Sequence, residues 1–215
     1  MRKDAINIIG LFRASSGSLG RLMSDVFGLS ALAWMVDKGI RKTVLKIRKS
    51  GFEELLARES HQRIENNIIV MTGAKPNETE LQTARKLAKT NEFFIIFPND
   101  GQIKEVHALL KETGKKRNDV YLIDKVTYKT IIVDIKTCGN PSVETIIAHL
   151  SEGVNQAPNI ILDITGKISK VKLSIALRRG WSNRLKIVFL NYHGQWYLMD
   201  RNLVFDKKWI TDNIK

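Results

Sequence analysis

Asp134 and Lys136 stand two residues apart in the run Thr-Ile-Ile-Val-Asp-Ile-Lys-Thr at 130–137. On an extended strand such residues project to the same face. Asp119 opens the preceding apolar run, and Glu80 lies on a segment with helical spacing further upstream. A carboxylate and an ammonium side by side, opposite a second carboxylate, can hold a divalent cation and a phosphate. The matching chemistry is hydrolysis of a phosphodiester. A cation held by Asp119 and Asp134 polarises a phosphoryl oxygen and orients water. Lys136 neutralises charge in the transition state or helps to activate that water. Glu80, with Glu78 as the alternative helix acid, binds the metal directly or through water.

Two alternating charges on a strand also describe an ordinary solvated face, so the elements around them decide. Val120 to Ile123, a turn at Asp124-Lys125-Val126, and Tyr128 to Ile135 read as a β-hairpin rich in β-branched residues. Pro76-Asn77-Glu78-Thr79 starts a helix with a capping residue and first-turn acids, continued by Leu81, Ala84, Leu87 and Ala88. Phe93 to Phe97 is a strand stopped by Pro98-Asn99-Asp100-Gly101, and Ile103 to Leu110 a short helix. Ser142 caps a helix carrying Ile146, Ile147, Leu150 and Val154. Ile160 to Ile164 is apolar on both faces, as a central strand is. Ser169 to Arg179 is a basic helix, and Leu185 to Leu190 with Gln195 to Met199 form a hairpin around His193-Gly194. Residues 206–215 read as a polar tail. The order from Lys75 predicts an α/β fold, a mixed sheet flanked by helices.

Residues 1 to about 70 read as helical: Leu22 to Val36, closed by Gly39, the basic stretch Ile40 to Lys49, and Phe52 to Ile64. Ile68 to Met71 is a short strand or a linker. A boundary near residue 72 separates a helical N-terminal region (1–72), suited to a partner or membrane contact, from a catalytic domain (73–215). The apolar patch Val26 to Val36 is too short to span a bilayer, and no secretory signal is apparent at the start.

Composition narrows the partners. Thirty-five Lys and Arg against 22 Asp and Glu give a net charge of +13, which points first to nucleic acid and second to an anionic membrane. The single cysteine, Cys138, excludes an intrachain disulfide and a cysteine-based zinc site, and the four histidines show no ligand spacing. A metal site is therefore built mainly from carboxylates, which suits Mg2+ or Mn2+. Lys167, Lys170, Lys172, Arg178, Arg179, Arg184 and Lys186 form a basic segment, read either as contacts to an RNA backbone or as a solvated helix face. Thr137 is placed to bond a phosphate or to serve the strand end. Gln156 reaches the substrate or caps the next strand. His149 reads as structural and Cys138 as inert.

With these segments in place the chain resembles the PD-(D/E)XK nucleases, whose layout is helix, strands, Asp, Asp/Glu-x-Lys, helix and strand. More narrowly, Glu80-Leu-Gln-Thr-Ala-Arg-Lys-Leu-Ala, Asn118-Asp-Val-Tyr-Leu-Ile-Asp, Val133-Asp-Ile-Lys-Thr and the run from Glu144 to Ile164 are similar to the tRNA-cleaving C-terminal toxin domains of contact-dependent growth inhibition proteins of the CdiA type. The resemblance covers roughly residues 75 to 200. It departs at Asn118, where proline is usual, and at Asp134, where glutamate is usual. It implies a tRNA substrate, Glu80, Asp119, Asp134 and Lys136 as site residues, and a cognate immunity protein. It also implies delivery into a target-cell cytoplasm, with the first 70 residues aiding passage. Three other classes remain open from the residues: a metal-independent barnase-like RNase, a DNA endonuclease, and a nucleic-acid-binding protein without turnover.

Overall fold

A computed structural model of the chain describes residues 38–58, 61–65, 67–99, 120–206 and 208–214. In order, the elements are α1 (Lys38–Arg58), β1 (His61–Glu65), β2 (Ile68–Met71), α2 (Glu78–Ala88), β3 (Phe93–Phe97), β4 (Val120–Asp124), β5 (Thr130–Cys138) and α3 (Val143–Gln156). They continue with β6 (Asn159–Ile164), α4 (Lys170–Gly180), β7 (Ile187–Tyr192), β8 (Gln195–Asp200), α5 (Arg201–Phe205) and α6 (Trp209–Asn213). Among the described residues the strands form one eight-stranded sheet in sequence order. β1–β2, β3–β4, β4–β5 and β7–β8 pair antiparallel, while β2–β3, β5–β6 and β6–β7 are parallel. The mixed α/β sheet flanked by helices is as expected. The two central parallel steps are crossovers through α3 and α4, the connection that parallel neighbours require.

Alternation along β5 shows which helix covers which face. Ile131, Val133 and Ile135 join an apolar cluster with Ala84 and Leu87 of α2. On the opposite face, Ile132 packs with Phe52 and Leu55 of α1, and Cys138 with Ile146 and Leu150 of α3. So α2 lies on one face, and α1, α3 and α4 on the other. Each fully buried Ile or Leu in these clusters contributes about 2 kcal/mol of transfer free energy. Asp134 and Lys136 interrupt the second face, between the cluster under α1 and the cluster under α3.

Local chemistry sets the element ends. Asn77 and Glu80 close a reciprocal capping box on α2. The Ser142 hydroxyl accepts the Thr145 N–H at 3.0 Å to start α3, and Ser169 caps α4. His193 and Gly194 both have positive φ, 51° and 80°, the backbone of a two-residue hairpin turn.

Several expectations are corrected. Gly39 does not close a helix; it lies inside α1, which runs unbroken from 38 to 58. The helix expected over Phe52 to Ile64 stops at Arg58, and His61–Glu65 is instead an edge strand. Polar Gln62, Arg63 and Glu65 mask it in sequence, because an edge strand is held by backbone pairing to β2 rather than by apolar alternation. Residues 206–214 are not merely polar. Asp206 Oδ1 accepts the N–H groups of Lys208 and Trp209, and Ile210 and Ile214 enter the core under α4. The boundary expected near residue 72 falls between β2 and α2, within the continuous sheet. The helix expected at Ile103 to Leu110, the apolar patch at Val26 to Val36 and Asp119 lie outside the described residues.

One end of the β3–β5 region carries a proton-sensitive carboxyl. Burial, reinforced by the nearby Asp124 charge, pushes Glu92 from an ordinary 4.5 up to about 7. Asn91 beside it adopts a positive φ of 60°. Lys125 donates to the side chains of Asn67 and Asn91 and lies over the Phe94 ring, and its N–H donates to the Glu92 carbonyl. The folded state holds the Glu92 proton more tightly than the unfolded chain does. Its stabilising contribution is therefore complete below pH 4.5 and is lost as pH rises through about 7. Glu92→Gln is expected to flatten that dependence: its melting temperature exceeds that of the parent at alkaline pH and converges with it in acid. Parallel melting curves at every pH would show that Glu92 is not the titrating group.

Candidate active site

The register of β5 carries the site. Asp134 pairs with Ile160 and Lys136 with Leu162 of β6, both in the core beneath α3 and α4. The Asp134 side chain is fully buried, and Lys136 is 13% exposed. The Lys136 ammonium lies 3.2 Å from Asp134 Oδ2 and 3.6 Å from Oε2 of Glu152 on α3. Glu152 is 64% exposed, so the ammonium bridges a carboxylate in the interior and one at the surface. Gly153 packs tightly beside this pair: a Cβ there would stand 2.8 Å from Asp134 Oδ2 and 2.9 Å from Ile160 Cδ1, so a larger residue would make those side chains shift. Glycine there lets the backbone of α3 press directly on the carboxylate.

Glu152 belongs to a row of polar groups on the same helix. Thr145, His149, Glu152 and Gln156 follow at four-, three- and four-residue steps, which makes them one stripe on α3. Thr145, His149 and Gln156 are half-buried. Glu152 was not singled out from sequence. Its signal was its position one turn from both His149 and Gln156 on the helix that follows Asp-x-Lys.

The expected residues do not all converge. Asp134 and Lys136 come together as predicted. Glu80 is engaged elsewhere: its carboxylate accepts the Asn77 N–H at 3.0 Å and the Asn77 side-chain amide at 2.6 Å, on the helix covering the other face. Glu78 pairs with Arg85 and Gln82 at the surface. Asp119 lies outside the described residues; its chain neighbour Val120 pairs with Val133, the neighbour of Asp134. Thr137 points to the α2 face, where its hydroxyl is 3.1 Å from that of Thr83. Of the basic candidates, Lys172 and Arg179 are exposed, and Lys170 is half-buried. Arg178 donates to the carbonyls of Val204 and Asp206 at 3.0 and 3.2 Å and so ties α4 to the C-terminal helices. Burial pushes the Cys138 thiol up, consistent with an inert side chain.

A polar network on the α2 face escaped the sequence reading. Asp163 is 1% exposed. Its Oδ2 accepts from the Thr83 hydroxyl at 3.0 Å and the Lys86 ammonium at 2.6 Å, and its Oδ1 from the Asn191 amide at 2.9 Å. Register aligns Thr137, Asp163 and Asn191 across β5, β6 and β7. A charged residue inside the apolar run Ile160 to Ile164 was the available clue.

The donors around Lys136 are carboxylate oxygens, which fit a hard divalent cation such as Mg2+ or Mn2+. Among the described residues no group of three or more His, Cys, Asp or Glu is arranged to hold a metal. Asp134, Lys136 and Glu152 have formal charges summing to −1, a balance that favours a cation over an anion at the pair. Among the described residues no helix is long and apolar enough to cross a membrane. No family model, curated protein or solved structure matches the chain.

Proposed function

We propose that the chain is a metal-dependent endonuclease that hydrolyses phosphodiester bonds in RNA, with tRNA as the substrate. The observation that carries this reading is the buried Asp134 carboxylate held 3.2 Å from the Lys136 ammonium on a central strand. The succession α2, β3, β4, β5, α3, β6 supports it, because that is the layout of the nuclease family that the sequence resembles. The net charge of +13 supports a polyanionic substrate. Asp134, with Asp119, would hold Mg2+ or Mn2+, and the bound cation supplies Lewis-acid polarisation of the phosphoryl oxygen. Lys136 offsets the negative charge that grows on the phosphorus oxygens as water adds and the P–O bond to the leaving ribose oxygen breaks. Half-buried His149 and Gln156 lie on the same helical stripe as Glu152. Exposed Lys172 and Arg179 on α4 would supply contacts to the RNA backbone.

In the biological setting suggested by the resemblance, the chain is a toxin delivered into a target-cell cytoplasm and neutralised by a cognate immunity protein.

The deciding assay is cleavage of total tRNA by the full chain, with Mg2+ and with chelator, beside Asp134→Ala. Cleavage that needs the metal and disappears in the variant is the expected result. Cleavage that survives chelator and substitution would move the site to basic and hydroxyl groups, as in a barnase-like RNase. Cleavage of duplex DNA alone would reassign the substrate. Binding without turnover would leave a nucleic-acid-binding protein.

A further inference from the structure

We propose that Glu152, rather than Glu80, is the helix carboxylate that completes the cation site with Asp134. This rests on the cation-dependent reading of that site and goes further by naming a ligand. Three observations converge on it. Glu152 Oε2 lies 3.6 Å from Lys136 Nζ, which itself lies 3.2 Å from Asp134 Oδ2. The residue after Glu152 is Gly153, whose missing Cβ admits the α3 backbone against Asp134. Glu80, by contrast, is bound at both carboxylate oxygens to Asn77 at the start of α2, where it satisfies the helix cap.

Chemistry separates the two acids as clearly as position does. Withdrawing Glu80 to a metal would strip the capping box and leave the Asn77 N–H to find another acceptor. Withdrawing Glu152 from Lys136 breaks only a surface-facing ion pair of a 64% exposed side chain, and such pairs hold weakly. Glu152 is thus free to exchange an ammonium for a divalent cation, and Lys136 is then released toward the scissile phosphate. In the ion-free chain the lysine keeps the two carboxylates from repelling one another; with a cation bound, that role passes to the metal.

The test measures Mn2+ binding to the full chain by calorimetry and by the loss of free-Mn2+ paramagnetic resonance signal. The variants are Glu152→Gln, Asp134→Asn, Glu80→Gln and, as a control, Glu144→Gln on the exposed first turn of the same helix. Circular dichroism checks that each variant is folded. Glu152→Gln is expected to weaken Mn2+ binding about tenfold or more, with a parallel rise in the Mg2+ concentration needed for half-maximal cleavage. The control is expected to bind like the parent. Should Asp134→Asn lose binding while Glu152→Gln binds normally, Glu152 is only a surface ion-pair partner and the inference fails with the nuclease reading intact. A loss on Glu80→Gln in place of Glu152→Gln would overturn it equally. If Asp134→Asn keeps both Mn2+ binding and RNA cleavage, the nuclease site itself is misplaced.

Discussion

Lys136→Met is expected to lower RNA cleavage about a thousandfold, roughly 4 kcal/mol of barrier. Methionine nearly matches the length of the lysine stem but carries no charge. The transition state would lose the ammonium that faces the growing charge on phosphate. The Lys136 side chain is only 13% exposed, so little solvent screens its charge. Extra Mg2+ is not expected to restore the rate, since the variant lacks the side-chain cation and not the carboxylates that would hold the metal. Lys136→Arg keeps the charge but spreads it over a planar fork, and recovers only part of the activity. Lys136→Met also removes a cation beside a fully buried carboxylate, at a cost of about 1–3 kcal/mol of stability. That leaves a folded enzyme at room temperature, because domains commonly have about 5–15 kcal/mol in hand. Single-turnover cleavage rates and a thermal melt on the same preparation check both halves. A fall of less than about tenfold would remove Lys136 from the chemistry.

Asp163→Ala is expected to cost about 4 kcal/mol of stability and to lower the melting temperature by about 10 °C. The carboxylate serves three donors at once: Thr83, Lys86 and Asn191. Lys86 is 39% exposed and rehydrates when its partner goes, so its share is small. Asn191 is buried and is left with an unsatisfied donor worth about 1–3 kcal/mol, while buried Thr83 loses its charged acceptor and turns to the Thr137 hydroxyl 3.1 Å away. Alanine adds a void to that loss. Since the network faces α2 and the Asp134–Lys136 pair faces α3, cleavage at temperatures where the variant is folded is expected to persist. Urea unfolding gives the number. A loss below about 1 kcal/mol would mean that water or neighbouring groups satisfy Thr83 and Asn191 without the carboxylate.

Sequence periodicity carried the strands and the face of the site a long way. The period of two placed Asp134 and Lys136 together, and the apolar runs at 93–97, 120–123 and 160–164 each became a strand. Asn77, Ser142 and Ser169 marked helix starts because a side-chain oxygen before an apolar stripe has a definite use. What periodicity does not contain is the face on which each helix settles. Glu80 looked like a ligand because its helix precedes the hairpin, yet α2 packs against Ile135 and Thr137 rather than against Lys136. The pattern Asn-x-x-Glu at 77–80 was itself a capping-box signature and competed with the metal reading. Glu152 and Asp163 were hidden for opposite reasons. One is an exposed acid among many, and the other a charge inside a run that otherwise reads as wholly apolar. β1 and α6 were lost because their stability comes from tertiary pairing and from two isoleucines, Ile210 and Ile214, too few to announce a helix.

The Asp163 network also bears on how quickly the chain reaches its final state. Thr83 lies 80 residues from Asp163 in sequence, and Asn191 lies 28 residues away. The β6–α4–β7 unit can bring Asp163 and Asn191 together, but it cannot supply Thr83. Three parallel strands and a helix from well upstream must already be in register, after loop closures whose entropy is spent before the contact returns anything. The network therefore acts as a late clasp that locks a nearly finished sheet. Removing Asp163 should leave the refolding rate almost untouched and steepen escape from the native state, visible as a raised unfolding arm in a denaturant chevron.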